Sequence, residues 1–269
     1  MITELTRMWL TRSTKPFLFK NEYDQELPFS DCDGLGLYVH IPFCRSICSF
    51  CPYCKTLYSE EACSRYIDAL IREIHLAGSQ IPGKKTVTSL YFGGGTPALA
   101  ADRIKEIIDA IQEHFIITQG IGIELHPENV TPRTLHILKE AGITKLSIGI
   151  QSFQEKFQKL LGRTGADMDS LKAALSQVPF ETVSMDFIFA LPSQTFGDLK
   201  ADVDAAFEAG ANHVALYPFI DFTFTDSVLP SMGKKEKRRT RSPGTAWRPA
   251  VPEAPSGPLP GRSMLPTPP

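Results

Sequence analysis

Apolar runs of strand length alternate with amphipathic segments over most of the chain. The apolar runs are Leu35–Phe43, Ser89–Phe92, Gly120–Leu125, Lys145–Ile150, Thr182–Leu191 and His213–Phe219. In the segments between them, apolar residues recur at the three- and four-residue spacing of a helix. Six strands that alternate with helices predict an α/β fold, with a mostly parallel sheet covered by helices.

Capping residues support the predicted helix boundaries. Ser59, followed by two glutamates, marks the start of the first helix. Thr131 and Pro132 form an N-cap with proline at the first helical position. Thr195 and Asp198 have the spacing of a capping box, and Gly210 ends the helix that they begin.

The most unusual residues of the chain all follow, or end, a predicted strand. A cysteine-rich loop follows the first strand, and the glycine-rich turn Gly93–Pro97 follows the second. Glu124 and Gln151 end the third and fourth strands. Because the carboxyl ends of parallel strands share one edge of the sheet, where ligands gather, these residues predict a binding site there.

The cysteine loop is the main candidate for metal chemistry. Four of the six cysteines lie between Cys44 and Cys54, and the first three have the spacing C-x3-C-x2-C. Cys44, Cys48 and Cys51 could ligate three irons of a [4Fe–4S] cluster and leave the fourth iron open. Alternatively, Cys54 could complete a zinc site with four thiolates.

Charge and composition divide the chain into three parts: an irregular extension at residues 1–34, a core domain at residues 35–232 and a tail at residues 233–269. The tail carries eight Lys and Arg against two Asp and Glu, and it is rich in proline. We expect the tail to be disordered, and its abrupt change of composition suggests a truncation or a shift of reading frame. Residues 1–232 carry a net charge of −8, which does not favour binding to nucleic acid.

The hydropathy pattern along the chain indicates the cellular compartment in which the protein is expected. No run of about 18 apolar residues occurs, so no membrane span is expected. The first 20 residues mix charged side chains into the apolar ones and lack the continuous apolar stretch of a signal peptide. These features predict a cytoplasmic protein.

Five motifs together carry a family resemblance. They are Tyr38–Cys51 (YVHIPFCRSICSFC), Leu90–Pro97 (LYFGGGTP), Leu146–Phe153 (LSIGIQSF), Leu160–Arg163 (LLGR) and Met185–Pro192 (MDFIFALP). In these motifs the chain resembles the radical S-adenosylmethionine (radical SAM) superfamily. Within that superfamily, it is most similar to the oxygen-independent coproporphyrinogen III oxidase and haem-chaperone family. The resemblance extends over about residues 35–220.

The resemblance implies a fold and a set of site residues. The fold is a partial (β/α)6 barrel, similar to part of a TIM barrel. Cys44, Cys48 and Cys51 would ligate a [4Fe–4S] cluster, whose open iron would bind S-adenosylmethionine. The residues at family positions that contact this cofactor are Tyr38, Phe50, Gly94, Gly95, Thr96, Glu124, Gln151, Arg163 and Asp186.

The resemblance also implies an activity. The reduced cluster would cleave S-adenosylmethionine to a 5′-deoxyadenosyl radical, and an electron donor such as flavodoxin or ferredoxin would reduce the cluster. The expected substrate is a tetrapyrrole, decarboxylated oxidatively in porphyrin and haem biosynthesis. A haem chaperone, a radical methyltransferase and a haem-degrading enzyme are the alternatives. No catalytic side chain is assigned.

Overall fold

A parallel sheet forms the centre of the molecule. The computed structural model describes residues 32–163 and 167–220, together with positions 222, 225, 227 and 229. The strands are β1 Leu35–Ile41, β2 Phe43–Cys44, β3 Thr56–Leu57, β4 Lys85–Gly94, β5 Phe115–Ile117, β6 Ile121–Leu125, β7 Ile143–Gln151, β8 Thr182–Phe189 and β9 His213–Pro218. Strands β2 and β3 form a separate two-stranded pair, and all the others belong to one sheet.

The strand order makes this sheet a partial barrel. Its order is β1-β4-β6-β7-β8-β9, with β5 paired beside β4, and every pair is parallel. All strands therefore end at the same edge of the sheet. The predicted α/β fold, a partial (β/α)6 barrel with six main strands, is confirmed.

Helices connect the strands and cover the sheet. They are α1 Glu60–Gly78, α2 Ala101–His114, α3 Pro132–Glu140, α4 Glu155–Leu160, α5 Met168–Gln177 and α6 Phe196–Glu208, with short 3-10 turns at Pro97–Ala100 and Pro127–Asn129. Their apolar faces and the continuously apolar strands form one large core. The largest fully buried side chains include Phe92 on β4, Ile104 on α2 and Phe187 on β8. Burial of this apolar surface is the main favourable contribution to folding.

The predicted helix starts are confirmed by their hydrogen bonds. The Ser59 and Thr131 side chains each accept the amide of the third helical residue, at 3.2 Å. Thr195 and Asp198 form a complete capping box, in which each side chain accepts the other residue's backbone amide, at 3.2 and 2.8 Å. These bonds satisfy amides that would otherwise lack a helical partner.

The first strand is shorter than predicted. It ends at Ile41 rather than Phe43, because Pro42 has no N–H to donate and the chain turns out of the sheet there to form β2. The predicted extension and tail lie almost wholly outside the described residues, so the division into 1–34, 35–232 and 233–269 stays a prediction. In the part of the chain that the structure describes, no helix is both long and apolar enough to cross a membrane.

Candidate functional site

A short, closed loop carries the clustered cysteines. Strands β2 and β3 pair at its base, where the Thr56 amide donates to the Pro42 carbonyl at 2.8 Å and the Tyr58 amide donates to the Cys44 carbonyl at 2.9 Å. Inside the loop, Lys55 Nζ donates to the Cys51 carbonyl at 2.6 Å. These bonds hold both ends of the loop close to the end of β1.

Three of the four loop cysteines face the same pocket. Cys44, Cys48 and Cys51 are half-buried and line it, whereas Cys54 is exposed and lies outside the lining. Burial raises the pKa of the Cys44 and Cys48 thiols, so both are protonated near neutral pH without a metal. Among the described residues, no three cysteine sulfurs lie within 4.8 Å of one another. The three thiols that line the pocket are those with the spacing C-x3-C-x2-C, and Cys54 is not among them.

The glycine turn after β4 packs directly against the start of the cysteine loop. The Gly95 amide donates to the Ile41 carbonyl at 2.9 Å, and the Thr96 amide donates to the Phe43 carbonyl at 2.7 Å. A Cβ atom on Gly95 would lie 2.6 Å from the Phe43 carbonyl oxygen. Gly94 has a φ of +124°, which disfavours any other residue. The glycines are therefore required by this close backbone approach.

Two carboxylates form the floor of the pocket. Glu124 accepts the Gly94 amide at 3.1 Å, and Asp186 accepts the hydroxyls of Ser147 and Ser184 at 2.7 and 3.2 Å. Burial is the main cause that raises the pKa of both carboxyl groups, and for Glu124 the nearby Asp186 charge adds to it. Carboxylates with raised pKa values at the carboxyl edge of a sheet are typical of binding sites.

Gln151 and Arg163 complete the wall of the pocket. Gln151 has a φ of +70°, and the register between β7 and β8 shifts beside it. Arg163 Nη2 donates to the Gly149 carbonyl at 2.9 Å. Burial lowers the pKa of the Arg163 guanidinium, while the thiol of Cys48 contributes most to raising it again. The buried cation thus lies close to Cys48, and its charge favours the thiolate form of that residue.

The structure brings together eleven of the twelve residues that the sequence selected. They line a cavity of about 350 Å³ and are Cys44, Cys48, Phe50, Cys51, Gly94, Gly95, Thr96, Glu124, Gln151, Arg163 and Asp186. The exception is Tyr38, which is 59% exposed and does not line the cavity. Its ring lies beside Gly93, opposite Glu124.

The pocket also has lining residues that were not predicted from the sequence, among them His126, Glu128 and Tyr217. His126 Nδ1 accepts the Glu128 amide at 3.3 Å in the turn after β6. Burial, helped by the Arg163 charge, lowers the pKa of His126 to about 4, so the ring is neutral in the pocket. His126 directly follows the end of β6, and searching the first residue beyond each strand would have found it.

Comparison with known proteins identifies the family. The family model described as the radical SAM superfamily matches residues 38–206. The chain belongs to the radical SAM superfamily. The match begins three residues into β1 and ends within α6, so it includes the whole pocket except for the lining residues on β9 and beyond.

Several superfamily members with names connected to haem or porphyrins are similar to this chain in sequence or fold. The haem chaperone HemW of Lactococcus lactis is 33% identical over 68% of this chain and 48% of its own. Anaerobilin synthase of Escherichia coli O157:H7 is 34% identical over 79% of this chain and 48% of its own. The crystal structure of coproporphyrinogen III oxidase (HemN) from E. coli has a TM-score of 0.68 and 27% identity, over 78% of this chain and 51% of its own.

The chain is related to coproporphyrinogen III oxidase and to haem chaperones, and it spans about half the length of the relatives it matches. Membership implies a [4Fe–4S] cluster and S-adenosylmethionine. The residues present fit both groups. Cys44, Cys48 and Cys51 line one pocket without Cys54, and the Glu124 and Asp186 carboxylates in the same lining can accept hydrogen bonds from the cofactor.

We expect Gly95→Ala to destabilise the protein. The new Cβ would overlap the Phe43 backbone, which cannot move without breaking its bond to Thr96. The free energy of unfolding should fall by about 1–3 kcal/mol in urea titrations. Gly36→Ala is the matched control, because nothing lies within 4 Å of its added Cβ, and it should change stability by less than about 0.5 kcal/mol. Equal stability of the two variants would show that the close approach is not required.

We expect His126 to make stability depend on pH. Its folded pKa of about 4 is below the value of about 6.5 for an unfolded histidine, so the unfolded chain binds more protons between these values. The stability contributed by neutral His126 is complete above about pH 6.5 and is lost as the pH falls towards 4.

Relative to His126→Gln, the wild type should therefore lose up to about 3 kcal/mol of unfolding free energy over this range. The measurement is urea unfolding at a series of pH values. His136→Gln is the control, because it removes an exposed imidazole from α3. If the pH curves of wild type and His126→Gln run parallel, His126 is not held neutral by the pocket.

Proposed function

We propose that the chain holds a [4Fe–4S] cluster through Cys44, Cys48 and Cys51 and cleaves S-adenosylmethionine reductively. The observation that carries this proposal is the set of three pocket-facing thiols beside the glycine turn, with Cys54 turned away. Three thiolate ligands leave one iron free to bind the amino and carboxylate groups of the cofactor.

The chain's own residues prepare the ligands. When bound and reduced, the cluster supplies the electron that cleaves the sulfonium of S-adenosylmethionine to methionine and a 5′-deoxyadenosyl radical. Loading requires the ligating thiols to lose their protons, and burial opposes this loss at Cys44 and Cys48 by raising their pKa. The Arg163 charge favours the Cys48 thiolate and so offsets part of that cost.

The polar groups of the pocket would orient S-adenosylmethionine. Glu124 and Asp186 are suited to accept hydrogen bonds from ribose hydroxyls or from the ammonium group, and the Gly94–Thr96 backbone suits the methionine portion. Phe50, Gln151 and Arg163 would contact the remainder of the cofactor. Tyr38 would act by positioning Glu124, since the two side chains flank Gly93. A binding site of this kind must also exclude water from reactive species.

Cys48→Ala should abolish both cluster binding and cofactor cleavage, because it removes one of three ligands. After anaerobic reconstitution with iron and sulfide, we expect iron content to fall and 5′-deoxyadenosine formation with dithionite to disappear. Cys54→Ala is the matched control from the same loop and should behave as wild type. Normal 5′-deoxyadenosine formation by Cys48→Ala would defeat the proposal, and its loss in Cys54→Ala would favour a four-thiolate site.

For the substrate, we propose a tetrapyrrole that is decarboxylated oxidatively, as in an oxygen-independent coproporphyrinogen III oxidase of porphyrin and haem biosynthesis. The likeness in sequence and fold to the E. coli oxidase supports this assignment. A flavodoxin or ferredoxin would supply the electron, and the reaction would take place in the cytoplasm. The core domain at residues 35–232 would carry the cofactor chemistry.

A haem chaperone is the second candidate. The haem chaperones HemW of Lactococcus lactis and Bacillus subtilis are 33% and 31% identical to this chain, each over 68% of it. Such a protein would bind haem and transfer it without converting a porphyrinogen. A haem-degrading or methyl-transferring enzyme is a further alternative for the same pocket. The similarity to anaerobilin synthase is the reason to test it.

Substrate assays separate these functions. With the cluster loaded and S-adenosylmethionine present, an oxidase should release carbon dioxide from coproporphyrinogen III, and Cys48→Ala should release none. A chaperone should bind haem stoichiometrically, without decarboxylation, and Cys48→Ala should still bind it. Haem consumption that depends on S-adenosylmethionine would indicate a degrading enzyme. If the chain neither converts the porphyrinogen nor binds haem, the tetrapyrrole assignment is wrong, whatever the result for 5′-deoxyadenosine.

A further inference from the structure

Two histidines and a glutamate meet at the opposite end of the sheet from the cysteine pocket. His75 lies in the last turn of α1, and Glu113 and His114 end α2. His75 Nδ1 lies 3.0 Å from His114 Nε2 and 3.7 Å from a Glu113 carboxylate oxygen. All three ligand atoms lie within 4.8 Å of one another, the only such group among the described residues.

We propose that His75, Glu113 and His114 form a binding site for a divalent transition metal, with Zn²⁺ as the best match. Two imidazole nitrogens and one carboxylate are a common ligand set for zinc, whereas Mg²⁺ and Ca²⁺ prefer oxygen ligands alone. Ligand atoms on a tetrahedral zinc ion are about 3.3 Å apart, and the two separations of 3.0 and 3.7 Å bracket this value. Water would fill the remaining position.

The position of the His114 ring is fixed by the packing of α1 and α2. A Cβ atom on Gly78 would lie 2.1 Å from Cγ of His114, so the imidazole fills the space that the missing side chain leaves. The two histidine rings are nearly perpendicular, at 74° with centroids 5.3 Å apart. The glycine weakens the end of α1, but it lets the ring approach His75 closely. The ligands are therefore held together before any metal binds.

The surrounding electrostatic field favours a cation. His75 and His114 both lie in the last turn of a helix, where the unpaired carbonyl groups carry partial negative charge. Lys84 Nζ donates to one of these carbonyls, that of Gln112, at 2.7 Å, and its charge offsets part of this partial negative charge. Glu113 adds a full negative charge, and its side chain is 65% exposed, so an ion can reach it from solvent.

The simpler alternative is a hydrogen bond between two neutral imidazoles, one donating N–H and the other accepting. That bond would account for the distance of 3.0 Å between His75 Nδ1 and His114 Nε2. It would not require the Glu113 carboxylate, and it would not require that an ion can reach the site from solvent. The two explanations differ in whether the Glu113 carboxylate contributes to metal binding. A metal site should lose affinity when the carboxylate becomes an amide, whereas the histidine pair would be unaffected.

The test is Zn²⁺ binding to the full chain, measured by equilibrium dialysis under anaerobic reducing conditions against a competing chelator. Because the cysteine thiols also bind zinc, the readout is the difference between variants that share all six cysteines. Wild type should bind one more Zn²⁺ per chain than His75→Gln. Glu113→Gln should bind this ion at least about tenfold more weakly. His136→Gln, which removes an exposed histidine on α3, should bind as wild type does.

The same zinc stoichiometry and affinity in wild type, His75→Gln and Glu113→Gln would overturn the proposal and leave a hydrogen-bonded histidine pair. Because the Glu113 side chain is exposed, Glu113→Gln should fold normally. It therefore still tests the proposal if His75→Gln folds poorly. The experiment does not depend on cluster binding or on 5′-deoxyadenosine formation. Its outcome is therefore independent of the function proposed for the cysteine pocket.

Discussion

The close backbone contact between the glycine turn and the end of β1 is the constraint on which the site depends. The amides of Gly95 and Thr96 donate to carbonyls on either side of Pro42, and no side chain separates the two segments. This contact fixes where the cysteine loop begins relative to β4. It also frees the Gly94 amide to donate to Glu124, so one turn joins the loop, the strand edge and a buried carboxylate. A residue larger than glycine would separate these three parts.

The pocket concentrates groups whose charged forms are costly in the folded protein. Burial raises the pKa of Glu124 and Asp186 and lowers that of Arg163, so the charged form of each group is less favourable than it is in water. Such an arrangement reduces stability unless a ligand compensates for it. The side chains of the apolar core, in contrast, carry no charge, so their burial has no such cost. This cost therefore falls at the edge of the sheet where family membership implies a charged cofactor.

The sequence was sufficient for the large elements and for most of the pocket. The six main strands are long apolar runs, and parallel pairing brings the residues after them to one edge, which is why eleven selected residues meet there. Strands β2, β3 and β5 are only two or three residues long, too short for any periodicity to appear. Tyr38 lies on β1 rather than beyond its end, and only the three-dimensional structure shows that it is not among the residues that line the cavity. The pairing of His75 with His114 joins two helix ends far apart in sequence, which spacing alone cannot indicate.

The distance along the chain between the two halves of the site has a consequence for the order of assembly. Thr96 and Cys44 are 52 residues apart, with all of α1 between them. At the usual rate of protein synthesis, of about 5–20 residues per second, the cysteine loop leaves the ribosome about 3–10 s before the glycine turn that supports it. During this interval the thiols lie on an unsupported segment, open to oxidation and to stray metal ions. The loop therefore reaches its folded form only after β4 has docked, and its thiols are most exposed to oxidation before that step.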